Sequence, residues 1–204
     1  MPESWFLRGL IVAIIFGVPA GAIGALTLHR SLQSGFAAGF VTGLGSTAAD
    51  VIYACTGVFG VNLVSEVLLT HQDVIRTVGG VFILLLGIGM LRKKGDETQS
   101  TSSVARLPAC FGTAFAVAIS NPATILSFIT ALAVLGIEQS LTARDGIQVV
   151  AGIALGTTAW WAALAGVASR FQKRITARAM SVLRAILGAF LMLFGLYAVL
   201  RAWL

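Results

Sequence analysis

The stretch WFLRGLIVAIIFGVPAGAIGALTL, residues 5–28, is apolar except at Arg8 and Thr27, and it carries Pro19 within it. About 20 such residues as a helix cross the hydrocarbon core of a bilayer. Proline takes one hydrogen bond out of a helix and clashes with the carbonyl four residues back, here that of Ile15. Lipid tolerates such a break only where protein or a watery cavity satisfies the freed carbonyl. The segment therefore reads as an interrupted membrane span.

The rest of the chain agrees. Of its 204 residues, 57 % are hydrophobic and a further 23 are Gly, while only 11 % are charged. Mean hydropathy is +0.93. Soluble domains have ~25 % charged residues, so this chain has too little polar surface to coat a globule in water. It is also too apolar to be disordered. Five more stretches match the first: Ala38–Val61, Val74–Leu91, Pro108–Leu135, Gly146–Ala168 and Ser181–Trp203. The expected fold is an all-α polytopic membrane protein with six transmembrane helices. The start, Met1-Pro2-Glu3, is acidic and no small-residue cleavage site closes the first apolar run. That run is expected to be retained rather than removed as a signal peptide.

The net charge of +6 is a topology signal rather than a nucleic-acid footprint, because the basic residues gather in short connections. The first, third and fifth connections hold Arg30, then Arg92, Lys93, Lys94 and Arg106, then Arg170, Lys173, Arg174 and Arg178. The opposite side has Arg8, Arg76, Arg144 and Arg201. The richer side is expected in the cytoplasm, which puts both termini outside. The polar, Ser/Thr-rich segment 95–106 reads as a cytoplasmic linker. It separates a first three-helix repeat, 1–94, from a second, 107–204.

The halves resemble each other. At an offset of 108, Arg76, Gly80, Phe82 and Gly87 meet Arg184, Gly188, Phe190 and Gly195. Pro19 meets Pro122 at an offset of 103, and Gly45-Ser46-Thr47-Ala48 echoes Gly156-Thr157-Thr158-Ala159. Three spans per half force consecutive repeats to enter the membrane from opposite sides. Inverted repeats of this kind, with interrupted spans at matching places, point to a secondary-transport site near the midplane.

Few residues could carry chemistry. Asp50 sits near the middle of the second stretch, whereas the other acidic residues fall near ends or in connections. A charged Asp at mid-membrane costs ~2.5–3.5 kcal/mol on insertion scales. It persists by facing a cavity, pairing or holding a proton, which suits a proton carrier or an ammonium-binding group. Pro122 repeats the break of Pro19 and frees the Ala118 carbonyl. Asn121 beside it can both donate and accept. Gly35, Gly39 and Gly43, like Gly152 and Gly156, have the spacing of close helix packing. Trp160 and Trp161 fit a pocket wall or simple packing. His29-Arg30 reads as an anchor at the cytoplasmic edge, or as an electropositive vestibule for a carboxylate. Cys55 and Cys110 give no metal spacing and no disulfide framework. No catalytic triad or phosphate-binding loop occurs, so no enzyme, cofactor or metal is expected.

Several of these residues resemble motifs of the lysine exporter (LysE) family of amino-acid translocators. The resembling segments are Pro19-Ala20-Gly21-Ala22-Ile23-Gly24 running to His29-Arg30, and Gly39 through Gly45 leading to Ala49-Asp50 and Tyr53. Asn121-Pro122 with Thr124 to Phe128, Gly156 to Trp161, and Arg184 to Tyr197 complete the set. Many members have a second proline in the opening motif, where this chain has Ala22 in that neighbourhood. The resemblance implies six spans, a possible homodimer, and proton-driven export of an amino acid across the bacterial inner membrane. The candidate substrate-binding residues are Asp50, Asn121, Pro19, Gly21, Gly24, Pro122, Tyr53, Thr124 and Ser127, with Asp50 also the proton-coupling group. The partners are then an amino acid, protons and lipid. Two other classes compete: a membrane thiol–disulfide electron carrier using Cys55 and Cys110, and an inorganic-ion exporter, which should need several membrane carboxylates.

Overall fold

A computed structural model describes residues 4–17, 21–59, 71–92, 107–120, 141–172 and 174–203. The described residues form helices and short connections, with no strand among them. The helices are α1 (Trp5–Gly17), α2 (Ala22–Ser34), α3 (Phe36–Val58), α4 (Gln72–Arg92), α5 (Leu107–Ile119), α6 (Ala143–Arg170) and α7 (Ala177–Trp203).

The first apolar stretch is two helices. α1 stops at Gly17 and α2 starts at Ala22, with Gly21 as its N-cap residue. Pro19 lies between them, outside the described residues. α2 also runs beyond Leu28 to Ser34, which places Arg30 inside a helix rather than after one. Gly35 then turns the chain directly into α3 with φ +86°, a left-handed value at which an L side chain is strained. α6 has a conventional start: the Thr142 hydroxyl accepts from the Asp145 amide at 3.3 Å and donates to its carboxylate at 2.6 Å. That acid also complements the positive end of the helix.

Small residues set the packing. On the α1–α6 contact, a Cβ at Gly152 or at Gly9 would collide with backbone of the facing helix, and one at Gly156 with Ala13. α3 packs on α5 through Gly45, whose added Cβ would strike the Phe111 carbonyl. The same helix packs on α6, with Gly39 against Ala165 and Gly43 against the Trp161 side chain. α2 lies among these helices and touches α3, α5, α6 and α7. Close approach matters here because lipid gives no hydrophobic drive between helices, leaving van der Waals contact and hydrogen bonds to hold them.

α4 and α7 form an antiparallel pair. A Cβ on Gly80 would lie 2.9 Å from the Gly195 carbonyl, and one on Gly87 would lie 2.8 Å from the Gly188 carbonyl. The offset of 108 carries Gly80 to Gly188 and Gly87 to Gly195, so it converts one contact into the other. The outer faces of this pair are aliphatic: Val74, Val78, Val81 and Leu85 on α4, and Val182, Ile186, Leu193 and Leu200 on α7, are all exposed. Water would penalise an apolar surface of this extent, whereas lipid solvates it. By length and apolarity alone, Ala143–Arg170 and Arg178–Leu200 each suffice to cross a membrane.

Candidate functional site

α3 carries the polar residues of the interior. Thr42, Ser46, Thr47, Asp50, Tyr53 and Thr56 are all buried. At 100° per residue, Thr42, Ser46, Asp50 and Tyr53 fall on one stripe that runs about 16 Å along the helix. The hydroxyls of Thr42 and Thr56 donate back to carbonyls of their own helix, Ala38 at 2.7 Å and Ile52 at 2.8 Å.

Tyr53 reaches across to α5. Its hydroxyl donates to the Ile119 carbonyl at 2.6 Å and lies 3.3 Å from the Ala118 carbonyl. Both acceptors stand at the end of a helix. The partner the Ala118 carbonyl would find in a continued helix is residue 122, a proline without an N–H. The end of α5 thus meets a donor from α3. Tyr53 is 3 % exposed and sits in a cluster with Val12 of α1, Ala118 of α5, and Val149 and Ile153 of α6. α1 and α5 both end within two turns of that cluster.

Asp50 is 8 % exposed and lies one turn before Tyr53 on the same face. Among the described residues no cation pairs with it. Its neighbours in sequence, Ala49 and Tyr53, belong to the apolar cluster. A carboxyl in such a place is costly as an unpaired anion. Three low-cost states remain: protonated, bound to a cationic group, or hydrogen-bonded.

Of the other residues singled out from sequence, Gly21 caps α2 and Gly24 is buried within it. Pro19, Asn121, Pro122, Thr124 and Ser127 lie outside the described residues. Trp161 is buried against Gly43, as a packing residue would be, yet its indole Nε1 has no hydrogen-bond partner among the described residues. The Thr47 and Thr27 hydroxyls, also buried, have none there either. Each such group costs ~1–3 kcal/mol unless it is satisfied. Among the described residues no group of His, Cys, Asp and Glu could hold a metal ion.

Arg30 carries more than the anchor reading allowed. Its Nη1 donates to the Thr42 hydroxyl at 3.1 Å and to the Cys110 carbonyl at 2.9 Å, and its Nη2 donates to the Thr113 hydroxyl at 2.7 Å. One guanidinium thus joins α2, α3 and α5. The sequence signal was faint: two threonines in apolar stretches, and a helix that runs past Leu28 into polar residues.

The same bonds fix the relative level of the cysteines. Cys110 lies level with Thr42, whereas Cys55 is thirteen residues further along α3, about 19 Å by helical rise. Both are free thiols.

Sequence comparison relates the chain to known proteins. A family model described as LysE type translocator matches residues 14–202. The chain is 30 % identical over 191 residues to the uncharacterized membrane protein YahN of Escherichia coli (strain K12), covering 89 % of this chain and 84 % of YahN. It is 27 % identical over 125 residues to the chemotactic transduction protein ChpE of Pseudomonas aeruginosa, covering 59 % of this chain and 60 % of ChpE. No solved structure matches.

Proposed function

The chain belongs to the LysE type translocator family, and on that premise we propose that it exports an amino acid or a similar small zwitterion across the bacterial inner membrane in exchange for protons. The observation that carries this reading is Asp50, a buried carboxyl with no cation among the described residues, one helical turn from the place where Tyr53 meets the end of α5.

Asp50 accepts either the substrate ammonium group or a proton, and each excludes the other. Exchange needs that competition, because a site holding both ligands together would carry both the same way. The interrupted stretches at Pro19 and Pro122 supply the substrate carboxylate with helix-end dipoles, through Gly21 and Gly24 on one side and Asn121 on the other. Thr124 and Ser127 add neutral hydrogen bonds. The Tyr53 hydroxyl already serves the α5 carbonyls, so Tyr53 shapes the site first and contacts substrate second.

Alternating access follows from two inverted three-helix halves, 1–94 and 107–204, joined by the cytoplasmic linker 95–106. The reciprocal contacts Gly80–Gly195 and Gly87–Gly188 support this arrangement, since a two-fold axis in the membrane plane produces such an exchange. The level difference between Cys55 and Cys110 argues against a thiol–disulfide carrier. An inorganic-ion exporter would want several membrane carboxylates, and Asp50 is the one acidic residue deep in an apolar stretch.

The test is efflux from proteoliposomes loaded with labelled amino acids under an imposed proton gradient. Wild type should export one or more of them, and a protonophore should abolish the accumulation this drives. Asp50→Asn should lose proton-driven efflux by at least tenfold. Undiminished efflux by the variant would remove Asp50 from the mechanism.

A further inference from the structure

The geometry around Arg30 points to a second recognition site, and we infer that Arg30 selects the substrate by its carboxylate at the end of the α3 polar stripe opposite Tyr53. This rests on the zwitterion reading above and adds a residue to it.

Consider first what Arg30 already holds. A guanidinium has five N–H donors in a planar fork. Among the described residues, hydrogen bonds use both N–H groups of Nη1 and one of Nη2. The remaining pair, Nε–H and the second N–H of Nη2, lies on the edge that takes a carboxylate with two parallel bonds. The existing partners fix the plane of the fork without neutralising it. The Thr42 hydroxyl donates its proton to Ala38 at 2.7 Å, and that of Thr113 donates to Ala109 at 2.7 Å. Both oxygens can therefore only accept from Arg30. The third partner is a backbone carbonyl. No acidic side chain among the described residues balances the charge.

A half-buried cation held by three neutral acceptors stays attractive to an anion. Its rigid mounting on three helices lowers the entropy lost when that anion binds. Asp50 lies eight residues beyond Thr42 on the same helix, about 12 Å along the axis. The Arg30 bond to Thr42 thus lies about two turns of α3 before Asp50. Arg30 therefore acts at an earlier station than Asp50. It admits molecules that carry a carboxylate, and Asp50 then takes the ammonium group.

The test uses the purified full chain in proteoliposomes. These are loaded with the twenty amino acids in turn, and then with the carboxamides of those that wild type exports. Wild type should prefer acid over amide by tenfold or more in kcat/KM. Arg30→Gln should bring that ratio close to one, while Arg30→Lys should keep part of it. Thr113→Val should raise KM for the acid severalfold with little change in kcat, and should leave KM for the amide alone. It decides the matter if Arg30→Gln does not elute from a sizing column like wild type. Wild type that exports acid and amide equally overturns this inference and leaves the proposed function standing. So does an Arg30→Gln protein that is slower but equally selective, or a Thr113→Val protein that weakens both ligands alike. Wild type that exports no amino acid overturns both.

Discussion

Pro122 has no N–H for the Ala118 carbonyl, and the Tyr53 hydroxyl stands beside that oxygen while donating to the next one, Ile119, at 2.6 Å. Removing the hydroxyl leaves buried acceptors without this donor. Tyr53→Phe should therefore cost about 1–3 kcal/mol. Thermal unfolding in detergent checks this, with a lowered midpoint expected. An unchanged midpoint would mean that the α5 end has another donor. The need at this site was legible in the sequence, because a proline names the carbonyl it orphans. The donor was not, since nothing in sequence distance links Tyr53 with a helix end 65 residues away. Asp50 was legible by contrast alone, as the acid in an apolar stretch. Arg30 was under-read for a related reason: charges near a span end usually face headgroups, and the three acceptors that turn this one inward come from two other helices.

Glycine spacing announced close helix packing, and the helix contacts separate the glycines that carry it from those that do not. At Gly45 an added methyl meets the Phe111 carbonyl, and backbone cannot swing aside as a side chain can. Gly45→Ala should force α3 and α5 apart at a cost of about 1–3 kcal/mol, as overpacking does elsewhere. Gly112 and Gly89 sit on helices too, but an added Cβ there meets nothing within 4 Å. Alanine at either position should be neutral or stabilising by up to ~1 kcal/mol, the helix-propensity difference. Thermal midpoints of the three variants in one detergent test the contrast, and similar losses at all three would show that propensity, not packing, governs them. In a single sequence the three glycines look alike. Burial against a neighbouring helix is a tertiary fact, which the period of 3.6 narrows to a face but not to a partner.

For the molecule as a whole, the direction of each helix constrains how the chain crosses the membrane. α1 and α6 run parallel, since Gly9 faces Val149 and Ala13 faces Gly156. α3 and α5 run parallel as well, with Arg30 bonding at the level of Thr42 and Cys110 and Tyr53 bonding at Ile119. α4 and α7 run antiparallel. Six alternating crossings, with α1 and α2 together forming the first, give these relations: the first crossing then runs with the fifth, the second with the fourth, and the third against the sixth. In the proposed arrangement, an odd number of crossings in each half would put the two termini on one side and residues 95–106 on the other. By the positive-inside tendency, the Lys/Arg excess on that side leads us to propose that it faces the cytoplasm. A periplasm-active phosphatase fused at either terminus should therefore be active. A fluorescent protein that folds only in the cytoplasm should fluoresce when inserted within 95–106 and stay dark at the ends. Opposite signals from the two termini would require an odd total of crossings and would break the inverted pairing of the halves. Matching termini with reversed reporters would keep the pairing and overturn only the orientation. In that case the substrate-facing order of Arg30 and Asp50 would reverse as well, with Arg30 meeting cargo from the outside.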